Sequence, residues 1–139
     1  MDHPAPAKPD VLLRVPADSA YVSVLRTMTA GLAARLDFTV DDIEDLRIAV
    51  GEACALVLPE AVSDGHLQAE FRLHPGALTV SVSVPTQGST APDRESFAWQ
   101  VLSTLATSTQ ATVGDDHYEV TFVTESSIPP PRGRSGVLD

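Results

Sequence analysis

Cysteine, long apolar runs and basic side chains are all scarce in this chain of 139 residues. The single cysteine, Cys54, has no partner for an internal disulfide, which fits a reducing cytoplasm, and we expect it to fill space in the core. No apolar run approaches the roughly 20 residues that span a bilayer. The N-terminal residues MDHPAPAKPD lack the basic and apolar pattern of a signal peptide. These absences predict a cytoplasmic protein that does not enter a membrane.

Acidic side chains are abundant instead: 19 of them stand against nine basic ones, a net charge of −10. Nucleic-acid binding requires a cationic surface that displaces counterions, so we expect no nucleic-acid partner. The acids cluster between positions 37 and 64, where Arg47 is the only basic residue. This cluster is either a solvated helix face or a surface for a basic protein partner. Its members are Asp37, Asp41, Asp42, Glu44, Asp45, Glu52, Glu60 and Asp64.

Apolar residues recur every three or four positions in three segments, a spacing typical of helices that bury one face. The segments predict helices over 19–36, 41–61 and 96–107. In the third helix, Phe97 and Leu102 are expected on the core face, together with Val101 and Leu105. Trp99 at its head is open to two interpretations, as a core residue or as a plug in a binding pocket.

Strict alternation of apolar and polar residues predicts strands over 67–73 and 78–84, joined by a turn at Pro75-Gly76. Shorter strands are expected over 11–15, 111–113 and 118–124. The resulting order predicts a two-layer α/β sandwich, with about three helices on one face of a mixed, mostly antiparallel sheet. We expect one domain over 11–125, with disordered Pro-rich tails over 1–10 and 126–139.

Residues 13–54 carry a family resemblance. LRVPADSAYVSVLRTMTAGLAARLDF followed by DDIEDLRIAVGEAC resembles the start of anti-sigma factor serine kinases of the RsbW and SpoIIAB type. SFAWQVLSTLA resembles the third helix of actinobacterial members. The resemblance implies the GHKL, or Bergerat, fold. It also implies two partners, an alternative sigma factor and a STAS-type anti-anti-sigma factor. Active members of the family phosphorylate a serine of that STAS factor.

The ATP site of that family needs three elements, and this chain matches only part of the first. The family places a Glu and an Asn four apart on one helix face, where the Asn oxygen ligates Mg²⁺. Here Glu52 is followed by Leu56, which cannot ligate a metal. The family's Asp-x-Gly-x-Gly turn is replaced by PTQGS after Val84, and its Gly-x-Gly phosphate nest is replaced by RESFAW. Glu52 is thus a vestigial catalytic residue or a structural carboxylate, and Mg-ATP would be a cofactor only if the site survives.

Partner contacts are expected on the first two helices. The resemblance matches Arg26 to a basic position on the family's sigma-binding and dimer surface, although a solvated arginine explains it equally well. Candidate partner-binding acids are Asp41, Asp42, Glu44 and Asp45.

The sequence therefore predicts an anti-sigma factor with a degenerate nucleotide site that acts by binding. An active serine kinase and an adaptor that sequesters a STAS protein without a sigma factor are the alternatives. A homodimer through helix one is compatible with all three.

Overall fold

The computed structural model describes residues 8–88 and 92–128 of the chain. Within these ranges the elements follow the predicted order, β-α-α-β-β-α-β-β. They are β1 (Val11–Pro16), α1 (Val22–Arg35), α2 (Val40–Val57), β2 (His66–His74), β3 (Ala77–Pro85), α3 (Phe97–Leu105), β4 (Ser108–Val113) and β5 (His117–Glu125). Short 3-10 turns, Ser19–Tyr21 and Leu58–Glu60, precede α1 and follow α2.

The five strands form one sheet in the order β1-β2-β3-β5-β4, and each of its pairings is antiparallel. Alternation on β2 buries Leu67 and Phe71 in the core, while Glu70 between them lies on the opposite face. The β2–β3 hairpin turns at Pro75-Gly76 as predicted, with Gly76 at a φ of 75° that glycine adopts without strain. The predicted class, a two-layer α/β sandwich, is confirmed.

The three helices lie side by side, with α2 in the middle between α1 and α3. Thr39 caps α2 by accepting a hydrogen bond from Asp42 N at 3.1 Å. The end of α1 is closed by hydrogen bonds from Asp37 N to Ala34 O and from Phe38 N to Ala33 O, with Asp37 in the left-handed region. This tight reversal sends the chain from α1 directly into α2.

The core lies between the helix layer and one sheet face. Leu25, Leu46 and Leu102 come from α1, α2 and α3, and each is at most 1% exposed. They share one apolar cluster with Phe71 and Phe122 of the sheet. Burying an aliphatic or aromatic side chain of this size stabilises the fold by about 1.5–3 kcal/mol. All three predicted helices thus contribute to a single core.

Three sequence predictions about elements need correction. The sequence predicts both Phe97 and Leu102 on the core face of α3, but Phe97 is 77% exposed, and Trp99 is buried together with Leu102. The second helix stops being α-helical at Val57, where Pro59 imposes a 3-10 turn. Strand β4 begins at Ser108 rather than at 111. Its first three residues pair with β5 but are polar, so the sequence contains no apolar alternation that would predict them as a strand.

The predicted tails, 1–10 and 126–139, lie mostly outside the described residues. Among the described ones, Asp10 N donates to Phe71 O and Ser126 N donates to Gly76 O. Asp10 and Ser126 are therefore hydrogen-bonded to the sheet and its β2–β3 turn. Among the described helices, none combines the length and the apolarity that crossing a membrane requires.

Candidate functional site

A groove of about 280 Å³ lies on the outer surface of α1 and α2, beside Glu52. Glu44, Ile48 and Glu52 face it because residues four apart share one side of a helix. Arg47 of α2 and Arg26 of α1 complete the lining. This Glu52 groove therefore combines two carboxylates, two guanidinium groups and one exposed apolar side chain, a mixture suited to a protein surface of alternating charge.

Arg26 reaches across to α2 over Gly51. A Cβ at position 51 would lie only 2.5 Å from Arg26 Nη2, so the close approach of the guanidinium depends on glycine. The positive charge of Arg26 also acts on Cys54, one helical turn of α2 away from the groove rim. The predicted partner-binding arginine is thus exposed, with its guanidinium close to α2 at Gly51.

Cys54 is fully buried and serves as core filler, as predicted. Burial raises the pKa of its thiol to about 12, and the opposing charge of Arg26 offsets only part of that rise. The thiol is therefore protonated at neutral pH and is not a nucleophile.

The candidate acids of α2 fall into three groups. Glu44 lines the Glu52 groove, and Asp41 and Asp45 are exposed near it. Asp42 is engaged within the chain, because Ser127 donates to its Oδ2 from both its backbone N at 2.9 Å and its Oγ at 2.8 Å. Asp41 and Asp42 also lie in the first turn of α2, where negative charge stabilises the helix dipole.

The pKa of Asp42 reflects this engagement. Partial burial raises the pKa, but hydrogen bonds from Ser127 and Thr39 together outweigh it and hold the pKa below the ordinary 3.8. A lowered folded-state pKa stabilises the protein above pH 3.8, and that contribution is lost as the pH falls through the folded value. Asp42 is therefore charged at neutral pH and holds the chain after β5 against the start of α2.

Leu56 lies one helical turn after Glu52, half-buried and packed against the core. Mg²⁺ takes oxygen ligands, and an aliphatic side chain offers none. Across residues 8–88 and 92–128, no three His, Cys, Asp or Glu side chains are grouped to hold a metal ion. Leu56 therefore does not supply the Mg²⁺ ligand that the family resemblance places at this position.

The segment after β3 forms a hydrogen-bonded turn. Thr86 N donates to Asp116 O at 2.8 Å, and Val62 N donates to Pro85 O at 2.9 Å. Thr86 Oγ1 donates to Gly88 O at 3.0 Å, with Gly88 at a φ of 79°. These bonds tie the turn to the end of α2 and to the β4–β5 connection. No carboxylate of this turn, over 85–88, is available to accept an adenine amino group.

The first turn of α3 is capped by its own chain. Ser96 Oγ accepts a hydrogen bond from Trp99 N at 3.2 Å and donates to Asp93 O at 2.8 Å. The Trp99 N–H is one of the helix-terminal donors that a bound phosphate would take. In this chain a serine side chain already satisfies it.

Trp99 sits behind that cap with 9% of its surface exposed. The guanidinium carbon of Arg94 lies 4.8 Å from the centre of its ring, within cation–π distance. Both Arg94 and Asp93 act electrostatically on Tyr118, whose pKa is raised chiefly by burial. Arg94 and Asp93, just before α3, therefore lie within electrostatic reach of Tyr118 at the start of β5.

A larger groove of about 530 Å³ occupies the sheet face away from the helices. It is lined by polar side chains of several strands, including Arg14, Gln68, Glu70, Ser83 and Glu119. None of the predicted site residues lies there. The candidate site is therefore the smaller Glu52 groove.

Three features of the site were missed by sequence reasoning. Gly51 reads as an ordinary helix glycine, and only the folded pairing of α1 with α2 shows that Arg26 requires it. Ile48 lies outside the apolar stripe of α2. An apolar residue at such a position is the sequence signal that could have identified it as an exposed contact residue. Ser127 belongs to a segment with no periodic pattern, so its bond to Asp42 had no sequence signal.

The chain is similar to known proteins over part of its length. The chain matches the family described as histidine kinase-like ATPase domain over residues 15–101, from β1 into α3. It is 38% identical over 74 residues to the serine-protein kinase RsbW of Bacillus velezensis, covering 51% of this chain and 46% of that protein. Serine-protein kinase RsbW proteins of Bacillus thuringiensis and Bacillus anthracis are each 36% identical over 73 residues, with equal coverage. The match spans about half the length of these curated relatives.

Proposed function

Because this chain belongs to the histidine kinase-like ATPase domain family, we propose that it is an anti-sigma factor of the RsbW type that acts by binding. In this role it sequesters an alternative sigma factor, and a STAS-type anti-anti-sigma factor relieves it by competition. Its nucleotide site is degenerate and takes no part.

The observation that carries this proposal is the first turn of α3. Phosphate binding at a helix N-terminus needs free N–H donors and close backbone approach, which glycines permit. Here Ser96 takes the Trp99 N–H, and the Trp99 ring is buried under Arg94. Leu56 and the hydrogen-bonded turn at Thr86 also support a nucleotide site that has lost its function. Loss of all three elements is better explained by a site that is no longer under selection for ATP binding than by a single substitution.

The Glu52 groove suits the proposed partner contact. A sigma factor must present basic groups to nucleic acid, and exposed Asp41, Asp45 and Glu44 would attract such a surface. Arg26 would then pair with a carboxylate of the partner, which fixes the register of docking. Exposed Ile48 offers an apolar anchor between these charges.

An active serine kinase is the second candidate. The resemblance matches Glu52 to the catalytic carboxylate of the family, and the relatives are named as serine-protein kinases. In that case Glu52 would orient or deprotonate the attacking serine hydroxyl of the STAS protein.

An adaptor that sequesters only a STAS protein is the third candidate, and it differs from the proposed function in having no sigma partner.

A displacement assay separates these functions. A labelled alternative sigma factor from the native host is bound to the chain, and a STAS protein from that host is titrated in, with and without Mg-ATP. The proposal expects saturable displacement that is identical in both conditions, and an unchanged mass of the STAS protein. A STAS protein that gains a phosphoryl group would establish the kinase. Binding of the STAS protein but of no sigma factor would establish the adaptor.

Replacing Gly51 by alanine tests whether the placement of Arg26 matters for binding. The new methyl group would displace the flexible guanidinium end from its position over α2. Alanine also favours the helix interior by about 1 kcal/mol, so stability should be unchanged or slightly higher. We expect partner affinity to fall about 10-fold, which corresponds to about 1.4 kcal/mol, in a direct binding titration.

Gly31→Ala is the matched control. Gly31 lies in α1, and a Cβ there would meet nothing within 4 Å. This variant should gain the same helix stability without any change in affinity. Equal affinities of both variants and the wild type would show that Arg26 does not need its position over Gly51.

A further inference from the structure

The sheet face away from the helices carries a groove that the proposed function does not use. We call it the sheet-face groove. Its volume is about 530 Å³, and small-ligand sites typically measure roughly 300–1,000 Å³. The five-stranded sheet separates it from the helix layer and therefore from the Glu52 groove. A small ligand can thus occupy it while a protein partner is bound to α1 and α2.

One row of residues across four strands runs along the sheet-face groove. Arg14 of β1 pairs with Gln68 of β2. Gln68 in turn lies opposite Ser83 of β3, and Ser83 lies opposite Glu119 of β5. Directly paired residues share one face of a sheet, and all four line the groove. Because neighbouring strands are about 4.8 Å apart, the two ends of the row are about 14 Å apart at their Cα atoms.

The ends of this row carry opposite charges that no described residue neutralises. Neither Arg14 nor Glu119 forms an ion pair within residues 8–88 and 92–128. The carboxylate of Glu70, beside the row, is by contrast already engaged. Gln68 Nε2 donates to Glu70 Oε2 at 3.0 Å, and Arg72 Nη2 donates to Glu70 Oε1 at 3.3 Å. The groove therefore presents an available guanidinium at its β1 end and an available carboxylate at its β5 end.

Rings form one wall of the sheet-face groove. His66, Pro85 and His117 line it beside the charged row, and Pro85 pairs directly with His117. A Cβ on Gly114 would lie only 2.5 Å from Cε1 of His117, so the imidazole rests against the β4–β5 connection. Asp116 lies 3.5 Å from Nδ1 of the same imidazole. The wall thus offers ring surfaces for van der Waals contact with a ligand.

We propose that the sheet-face groove binds a short peptide with charged termini, laid across the strands with its carboxylate at Arg14 and its ammonium group at Glu119. A guanidinium pairs with a carboxylate through two parallel hydrogen bonds. Between the ends, the amide oxygen of Gln68 accepts and the hydroxyl of Ser83 donates or accepts, which suits a peptide group. Three extended residues span about 10 Å, which leaves room within a row of about 14 Å for the two charged side chains.

Charge favours this ligand over one that carries a single sign. An anion such as phosphate would gain Arg14 but would be repelled by Glu119 and Glu70. A metal cation would be repelled by Arg14, and the described part of the chain groups no three His, Cys, Asp or Glu side chains that could hold one. A peptide with both termini charged is attracted at each end of the row.

Amide NMR spectra of the full chain, titrated with triglycine, test this proposal. We expect saturable shifts of the Gln68 and Ser83 signals with a dissociation constant of about 1 mM to about 10 mM, because exposed ion pairs are individually weak. N-acetyl-triglycine amide has the same backbone but uncharged ends. It should bind at least about 10-fold more weakly, since it forms neither ion pair.

Removal of either end charge should weaken triglycine binding. Arg14→Gln and Glu119→Gln should each raise the dissociation constant at least about 5-fold. Arg35→Gln and Glu95→Gln are the matched controls, because they make the same charge changes at exposed positions outside the groove. Both controls should bind triglycine as the wild type does, and circular dichroism checks that every variant is folded.

Exchange of the two end charges tests whether both termini are recognised. Arg14→Glu or Glu119→Arg alone should abolish saturable binding. The double variant should restore it to within about 3-fold of the wild type, since the peptide can then bind in the reverse direction. A double variant that does not bind would overturn the proposal.

Three results of the titrations would also overturn it: no saturable shift with triglycine, equal binding of the capped peptide, or equal losses in the control variants. None of these measurements involves a sigma factor, a STAS protein or a nucleotide. The proposed function therefore stands or falls separately.

Discussion

Replacing Trp99 by alanine is expected to lower the free energy of unfolding by about 3 kcal/mol, the lower end for removal of a buried tryptophan. The lower end applies because the ring lies at the head of α3 under Arg94 rather than inside the main apolar cluster. The substitution should not create Mg-ATP binding, since the space it opens contains no glycine nest and no metal ligand. Urea unfolding followed by circular dichroism measures the first effect, and calorimetric titration with Mg-ATP measures the second.

Phe97→Ala is the control for Trp99→Ala. Phe97 is two residues away and mostly exposed, so its truncation should change stability by no more than about 0.5 kcal/mol. The urea unfolding of both variants is measured at the same protein concentration. Equal losses in the two variants would mean that Trp99 does not fill the interior at the start of α3. Tight Mg-ATP binding by Trp99→Ala would show that the ring merely blocks an intact site.

Arg26→Glu is expected to weaken binding of the sigma factor at least about 100-fold, or about 2.7 kcal/mol. The variant would place a third carboxylate in the groove that already holds Glu44 and Glu52. A partner carboxylate that paired with Arg26 would then face repulsion and lose its counter-charge, a loss that exceeds a simple truncation. Surface plasmon resonance with immobilised sigma factor gives the dissociation constant directly.

Arg35→Glu is the matched charge reversal for Arg26→Glu. Arg35 lies in the last turn of the same helix, exposed and away from the groove lining. It changes the net charge equally but should alter affinity only slightly, through long-range attraction that added salt screens. Comparable losses for both reversals would reduce the role of Arg26 to general electrostatics. Retained affinity in Arg26→Glu would remove the Glu52 groove from the interface.

In the proposed function, the chain acts without phosphorylating its STAS partner. A STAS protein that is not modified cannot be inactivated by this chain, so it competes for as long as it is present. The free sigma factor then depends on the relative amounts and affinities of the two partners, by mass action. Regulation would lie in the supply of the STAS protein rather than in a catalytic cycle of this chain.

Much of the fold follows from periodicity that the sequence displays openly. The two-residue alternation around Phe71 and Val82 predicts the central hairpin, because one sheet face is buried and the other is not. The three- and four-residue spacing around Leu46 and Val50 predicts α2 in the same way. Long, strongly periodic segments of this kind leave little freedom in the type of element.

The helix α3 shows where such reasoning fails. Its apolar residues surround more than one face, so the sequence permits either Phe97 or Trp99 inside. Packing against α2 decides in favour of Trp99 and leaves Phe97 exposed. The approach of Arg26 to Gly51 likewise depends on how two helices lie together. Such contacts arise from tertiary packing, for which a single sequence carries no local signal.

Isothermal titration of the wild-type chain with Mg-ATP tests the central claim most directly, with Trp99 fluorescence as a parallel signal because it is the single tryptophan. A degenerate site predicts no saturable heat up to about 1 mM nucleotide, a binding free energy weaker than about −4 kcal/mol. The emission of Trp99 should also remain unchanged. Saturable binding in the micromolar range, with a change in Trp99 emission, would contradict the account and place an active nucleotide site at the start of α3.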